Sequence, residues 1–267
     1  MVYSCVMFHN EHRLLNLRLQ EEAGGVDETI VVQANRTFSG RPRKIIPIDA
    51  GGFNVRPLMA TLNSKDPWEN QKIQRDWPLG VVRPRDDDVF LVSDVDEIHR
   101  QEDLPVILQA VRAHGYVHIR QWMHIYKINL TCLTPGAWWY DWISSFAVTG
   151  EYLKKSKLGF HALRRQWRVV RQKEKGAHVR VVRTDGHHFS WLGSVKDIRE
   201  KLRSIAEQAV NRPRINNPRH IERCISEHRH VFTGRRGGAF AVEAVGPHYP
   251  LSIREALEDW ADWVVPA

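Results

Sequence analysis

The sequence predicts an α/β domain built on parallel crossover units, and three observations predict it. Short runs at residues 3–8, 29–32 and 89–92 are almost continuously apolar, as strands buried on both faces must be. Between the first two runs lie Leu14, Leu15, Leu17 and Leu19, followed by Gly24-Gly25, which completes a strand, helix, strand pattern. The chain has 267 residues, 42% of them hydrophobic and 26% charged, which is globular in character and long enough to bury a sizeable core.

Taken in order, residues 3–8 form the first strand, and Asn10 is expected to cap the helix that carries the leucines. The second strand, 29–32, is closed by a polar stretch over 33–43. Residues 47–66 are rich in Pro, Gly, Asn and Asp and read as an irregular connection, followed by a helix over 67–77. The β-branched and aromatic stretch 116–129 reads as one or two strands. Trp138, Trp139, Tyr140 and Trp142 form an aromatic cluster that suits either a core wall or a platform for a sugar ring. From Ser194 a helix presents Val195, Ile198, Leu202, Ile205, Ala206 and Ala209 on one face and stops at Asn211-Arg212-Pro213. Pro218 opens the next helix, with Ile221, Cys224 and Ile225 on one stripe. Ser252 and Glu255 are spaced as a capping box for a last helix. No internal repeat or linker interrupts the chain, so residues 1–267 are read as one domain.

Composition narrows the function. No apolar run approaches the length of a membrane span, and the first residues lack the basic start and long apolar core of a signal peptide. Cys5, Cys132 and Cys224 are odd in number and widely spaced, which fits a reducing compartment; the expectation is a cytoplasmic protein. The net charge of +8 favours an anionic partner, and the excess is local. Between Lys154 and Arg183 lie eleven of the 39 Lys and Arg residues, with Glu174 the only acid among them. Interleaved Phe160 and Trp167 make nucleic acid an alternative partner there, but no nucleic-acid-binding motif accompanies them, so nucleic acid is not the expected ligand.

Asp94-Val95-Asp96 follows the apolar strand 89–92. Side chains alternate along an extended backbone, so the two aspartates emerge together at the strand's carboxyl edge, where open α/β sheets bind ligands. Two carboxylates aimed at one point repel unless a proton or cation is shared between them. A hard divalent ion, Mg²⁺ or Mn²⁺, suits such a pair, with diphosphate oxygens completing its shell. Taken alone, an Asp-x-Asp reads as an acidic turn.

Several ordered blocks carry a resemblance that changes this reading. Phe8-His9-Asn10-Glu11 with Leu15-Asn16-Leu17-Arg18-Leu19 resembles the opening of glycosyltransferase family 17, which includes the enzyme that adds the bisecting N-acetylglucosamine to N-glycans. The run from Gln33 to Pro42 resembles that family's Glu-Ser-Asn-x-Thr-Phe-x-Gly-x-Pro motif, with Gln33 in place of the glutamate. Gln74-Arg75-Asp76 resembles the step before its metal strand. Asp94-Val95-Asp96-Glu97-Ile98 matches its Asp-x-Asp-Glu-Ile motif, with His99 where proline often follows. Gly186-His187-His188-Phe189-Ser190-Trp191-Leu192-Gly193 resembles Gly-Trp-His-Phe-Ser-x-Leu-Gly, with His187 in the tryptophan's place.

The resemblance implies a GT-A-type fold, a Rossmann-like mixed sheet flanked by helices. It implies a metal-dependent, inverting transfer of a sugar, N-acetylglucosamine first, from a UDP-sugar donor to a glycan or glycolipid acceptor. On that basis Asp94 and Asp96 hold the metal, Asp96 most directly, and His188 is a third ligand. Asn35 and Arg75 are candidates for nucleotide and diphosphate contacts, together with Asp94. Inversion requires a carboxylate to take the acceptor's proton. Glu97 is the first candidate, with Asp141, Glu151 and Asp185 behind it. The competing readings are a non-catalytic protein binding nucleic acid or an anionic polysaccharide on the same fold, and a metal-dependent nucleotidyltransferase or hydrolase. With neither anchor nor signal in the chain, a lipid-linked, polysaccharide or surface-glycan precursor is the expected acceptor.

Overall fold

The computed structural model describes residues 1–134, 140–167, 180–232 and 240–266. Trp138 and Trp139, and the middle of the basic run from 168 to 179, lie outside the described residues. Four parallel strands form one half of the sheet: β1 (Val2–Met7), β2 (Glu28–Ala34), β3 (Val55–Ala60) and β4 (Val89–Asp94), in the spatial order β3-β2-β1-β4. Helix α1 (His12–Glu22) links β1 to β2, and α2 (Pro67–Asp76) lies between β3 and β4. The chain steps outward from β1 to β3, then returns to the other side of β1 for β4. Connections therefore leave β1 and β4 in opposite directions, and a crevice opens beyond their carboxyl ends. Met7 and Asp94 are register partners there, so the two strands end level.

The other half is mixed. After β5 (Glu97–Ile98) and α3 (Leu104–His114) come β6 (Tyr116–Ile125), β7 (Leu130–Cys132) and β8 (Phe146–Thr149), with β8 antiparallel to both β4 and β6. Two short helices, α4 (Gly150–Ser156) and α5 (Phe160–Arg165), precede β9 (Arg180–Ser190), which runs parallel to β6 and antiparallel to β5. Helices α6 (Val195–Ser204) and α7 (Pro218–Ser226), strand β10 (Phe240–Val242) and α8 (Leu251–Glu255) complete the described α-helices and strands. Strand alternation separates two cores. Phe90 and Val92 of β4 pack with Cys5, Ile30, Phe146 and Phe160 on one face, while Val89 and Leu91 meet Leu104, Ile107 and Val111 of α3 on the other. The α/β class, with a mixed sheet between helices, is as the sequence predicts.

Several local expectations are corrected. Residues 47–66 hold a strand, β3, which escapes pattern reading because it is an edge strand that tolerates Pro57 and carries Arg56, paired across to Glu28. Asn10 does not cap α1; Glu11 occupies the cap position, and its Oε2 accepts the amides of His9 and Asn10. Helix α6 stops at Ser204 because Ile205 turns extended, short of Ala209. Its start is firm: Ser194 and Asp197 form a reciprocal capping box. Ser252 makes no capping box with Glu255, because its amide and hydroxyl both donate to Glu21 Oε1 on α1. Helix α3 has no counterpart in the sequence reading, although Pro105 sits in its first turn and Ile107 and Val111 have helical spacing.

Candidate active site

The crevice at the β1/β4 switch point is a cleft of about 430 Å³. Its walls come from the loop after β1 (His9, Asn10, Glu11), from Arg36 and Arg43 after β2, from Asp94 and Asp96, and from α6 through Asp197, Glu200 and Lys201. Trp263 near the C-terminus closes one side.

Beneath the Asp94–Glu97 turn lies Arg18, fully buried on α1. Its guanidinium donates to the carbonyl of Glu97 at 2.7 Å and to that of Asp94 at 3.3 Å, and it pairs with Glu22. A buried charge has to be matched in this way, so the arginine of the leucine-rich block fixes the backbone that aims the aspartates. His99 lies against the same pair, its Nδ1 2.9 Å from Glu22 Oε1.

Asp94 and Asp96 both reach the cleft wall, yet they have different partners. Each oxygen of Asp94 takes an arginine: Arg75 Nη2 at 2.8 Å on Oδ1 and Arg164 Nη2 at 2.8 Å on Oδ2. Asp96 Oδ2 accepts from Lys201 Nζ at 3.0 Å, and Oδ1 lies 3.5 Å from His188 Nε2. Burial alone would raise both carboxyls. Their neighbours more than offset it, Arg164 then Arg75 for Asp94 and Lys201 first for Asp96, and hold both below the ordinary range.

The turn at residues 95–96 brings Glu97 back under Asp94. Its Oε2 accepts the Asp94 amide at 2.8 Å, and Arg164 binds both of its oxygens at 2.7 and 2.8 Å. Trp142 Nε1 also donates to Oε1, and the side chain has no exposed surface. Glu97 thus braces the cluster and does not face the cleft. Two buried carboxylates, Asp96 and Glu97, and the partly exposed Asp94 are matched by three cations, Arg75, Arg164 and Lys201.

The late histidine block is brought to the aspartates by strand pairing. Residues Glu97 and His188 are register partners between β5 and β9, and the Phe189 amide donates to the Asp96 carbonyl. Trp142 packs on the His188 ring at 4.3 Å between centroids, so in this cluster Trp142 serves as an internal wall. Arg75 is buried and shared between Asp94 and His161 Nδ1, at 3.2 Å from the latter. Asn35 Oδ1 accepts the Leu62 amide at 2.8 Å. Neither Asn35 nor Arg75 is on the cleft wall. Gln33 uses both ends of its amide on the backbone of Ile46, which a glutamate in its place could not do.

The remaining candidate bases are elsewhere. Glu151 sits by the amino end of β4, its amide bonded to the Asp86 carbonyl, at the opposite edge of the sheet. Asp141 pairs with Arg120, and Asp185 accepts from Trp122 Nε1; neither lines the cleft.

Among the described residues no group of three or more His, Cys, Asp or Glu is arranged to hold a metal ion. Asp96 and His188 nonetheless fit as two neighbouring ligands. Adjacent donors on an octahedron of about 2.1 Å radius lie about 3 Å apart, close to the separation seen here. An ion on this pair would draw its other ligands from substrate oxygens and water. Asp94, with both oxygens on arginines, is less available.

The family model described as glycosyltransferase family 17 matches residues 1–233. The chain belongs to glycosyltransferase family 17. A search of curated proteins finds no match. Among solved structures, a crystal structure of 4-diphosphocytidyl-2C-methyl-D-erythritol synthase is similar at 12% identity and a TM-score of 0.41, over 69% of this chain and 90% of that one. A likeness of that degree carries no argument about chemistry. In this family 17 member, the Asp-x-Asp-Glu-Ile block, the Gln-Arg-Asp block and the histidine block all meet at one cluster. Two of its residues escape motif reading. Arg164 sits in the basic run, and Lys201 on the polar face of α6; each reaches the aspartates from far along the chain. Among the described residues no helix is long and apolar enough to cross a membrane.

Proposed function

We propose that this glycosyltransferase is metal-dependent and inverting, and transfers a sugar, N-acetylglucosamine first, from a UDP donor to a glycan or glycolipid acceptor. The observation that supports this best is the position of the Asp94/Asp96 pair, on the wall of a cleft at the sheet's switch point and backed by a charge-balanced cluster. A divalent ion, Mn²⁺ or Mg²⁺, held by Asp96 and His188 would stabilise the negative charge that grows on the diphosphate as the anomeric bond breaks. An imidazole in the ligand set favours Mn²⁺.

The protein's own groups supply the rest. Asp94, fixed by Arg75 and Arg164, keeps negative charge beside that position. The cleft's basic wall, Arg36, Arg43 and Lys201, suits phosphate oxygens. For the base, Glu97 is too enclosed in this conformation, and its role becomes positioning. Glu11 takes the base's place in our reading: it lines the cleft, and among the described residues only its Oε2 is hydrogen-bonded, by the amides of His9 and Asn10. Glu11→Gln is expected to lower kcat about a hundredfold while donor affinity is kept, measured by steady-state kinetics and UDP titration.

Mn²⁺ and UDP added together at about a hundred times their Kd should raise the melting temperature by about 5 °C or more, and UDP-N-acetylglucosamine should be slowly hydrolysed. No joint shift and no donor turnover would refute the reading. The nucleic-acid alternative is weakened because Arg164, part of the basic run, is spent inside the cluster.

A further inference from the structure

Among the three cations of the cluster, Lys201 differs in kind. Arg75 and Arg164 are buried planar groups, each held by at least two partners. Among the described residues the Lys201 side chain has one hydrogen bond, to Asp96 Oδ2, and about a third of the side chain is exposed beside the cleft it lines. It extends from α6, close to the Trp191 ring, with Nζ 5.2 Å from the ring centroid. A lysine is a point charge on a flexible stem and can exchange one anion for another, whereas a bidentate arginine is fixed to its planar partner.

The two oxygens of Asp96 are divided between this ammonium and His188. A divalent ion on Asp96 would meet a like charge a few ångströms away, a repulsion that is large in a half-buried site. We propose that Lys201 is the resident counter-cation of Asp96, that a divalent ion displaces it, and that the released ammonium then holds a phosphate oxygen of the donor. This rests on the metal and UDP reading above. It makes ion and nucleotide binding interdependent: the ion frees the lysine, and the diphosphate gives the lysine a new partner. It also gives one residue effects of opposite sign on two ligands, which no structural role would produce.

Calorimetric titration of the whole protein with Mn²⁺ alone, and with UDP at saturating Mn²⁺, tests this. Lys201→Gln should bind Mn²⁺ alone roughly tenfold more tightly than wild type and UDP roughly tenfold more weakly. Lys201→Arg keeps the charge and should leave Mn²⁺ affinity near wild type. Lys201→Met repeats the measurement with an apolar chain of similar length, should the glutamine variant fail to fold. Unchanged or weaker Mn²⁺ binding in the neutral variants, or unchanged UDP binding, overturns the role of Lys201 while the proposed function stands. A wild-type protein that takes up neither Mn²⁺ nor UDP overturns both.

Discussion

Arg164→Met should lower the stability of the protein by about 3–5 kcal/mol, seen as a fall of roughly 10 °C in melting temperature, and abolish sugar transfer. The size of the effect follows from what the guanidinium leaves behind. It bonds both oxygens of Glu97 and one of Asp94, and Glu97 has no exposed surface through which water could replace it. An unmatched carboxylate in that position must be protonated or must open the turn at residues 95–96. Asp96→Asn is the informative contrast. Asp96 lies at the cleft wall beside a lysine that can relax into solvent, so this variant should melt close to wild type yet be silent in transfer. Calorimetric melts and a donor-turnover assay on both variants separate the two effects. An Arg164→Met protein as stable as wild type would show that the cluster's ion pairs do not support the fold.

The second large effect is on acid stability. His118 and His161 are lowered to about 4, His187 and His230 to about 3, and His124 well below its ordinary value, in each case chiefly because burial disfavours the charged ring. Hydrogen bonds agree for several of them. His187 Nε2 faces the carbonyl of His248 at 2.9 Å, so that nitrogen carries the proton and Nδ1 accepts from His124 Nε2 at 2.7 Å. His161 Nδ1 faces Arg75, which can only donate. For a group lowered in this way, the unfolded chain takes up a proton below about pH 6.5 and the native one does not, so stability is full above that value and is lost as pH falls. Two histidines behaving so would cost about 4 kcal/mol between about pH 6.5 and 5. The carboxyls of Asp94 and Asp96, also lowered, keep their contribution until about pH 4, so loss in the higher window belongs to the histidines. Urea unfolding at several pH values between about 7 and 5 measures it; a flat profile would mean that these rings accept protons without unfolding.

The parts of the site that could be read from the chain are those that strand geometry imposes. Alternation and the apolar run place Asp94 at the end of β4, and the motif order brings His188 to the same edge, where it lies opposite Glu97. What alternation cannot show is which long side chains arrive from other layers. Arg164 and Lys201 lie 70 and 105 residues from the aspartates they neutralise. In the sequence one is a member of a basic run and the other a charge on the outer face of an amphipathic helix, and both patterns usually mark solvated surface. Glu97 illustrates the reverse problem. Its neighbours in sequence suggest catalysis, and only the turn that follows Asp94 shows it enclosed by Arg164 and Trp142.

Trp263 stands outside the segment matched by the family model, yet it forms part of the cleft wall and is held there by Arg13, whose guanidinium lies 4.1 Å from its ring centroid. Division of labour along the chain follows. The matched segment supplies the ion pairs and the switch-point geometry, while Trp263, beyond it, adds to the cleft wall beside them. A change at Trp263 would therefore reshape one side of the cleft without touching those ion pairs.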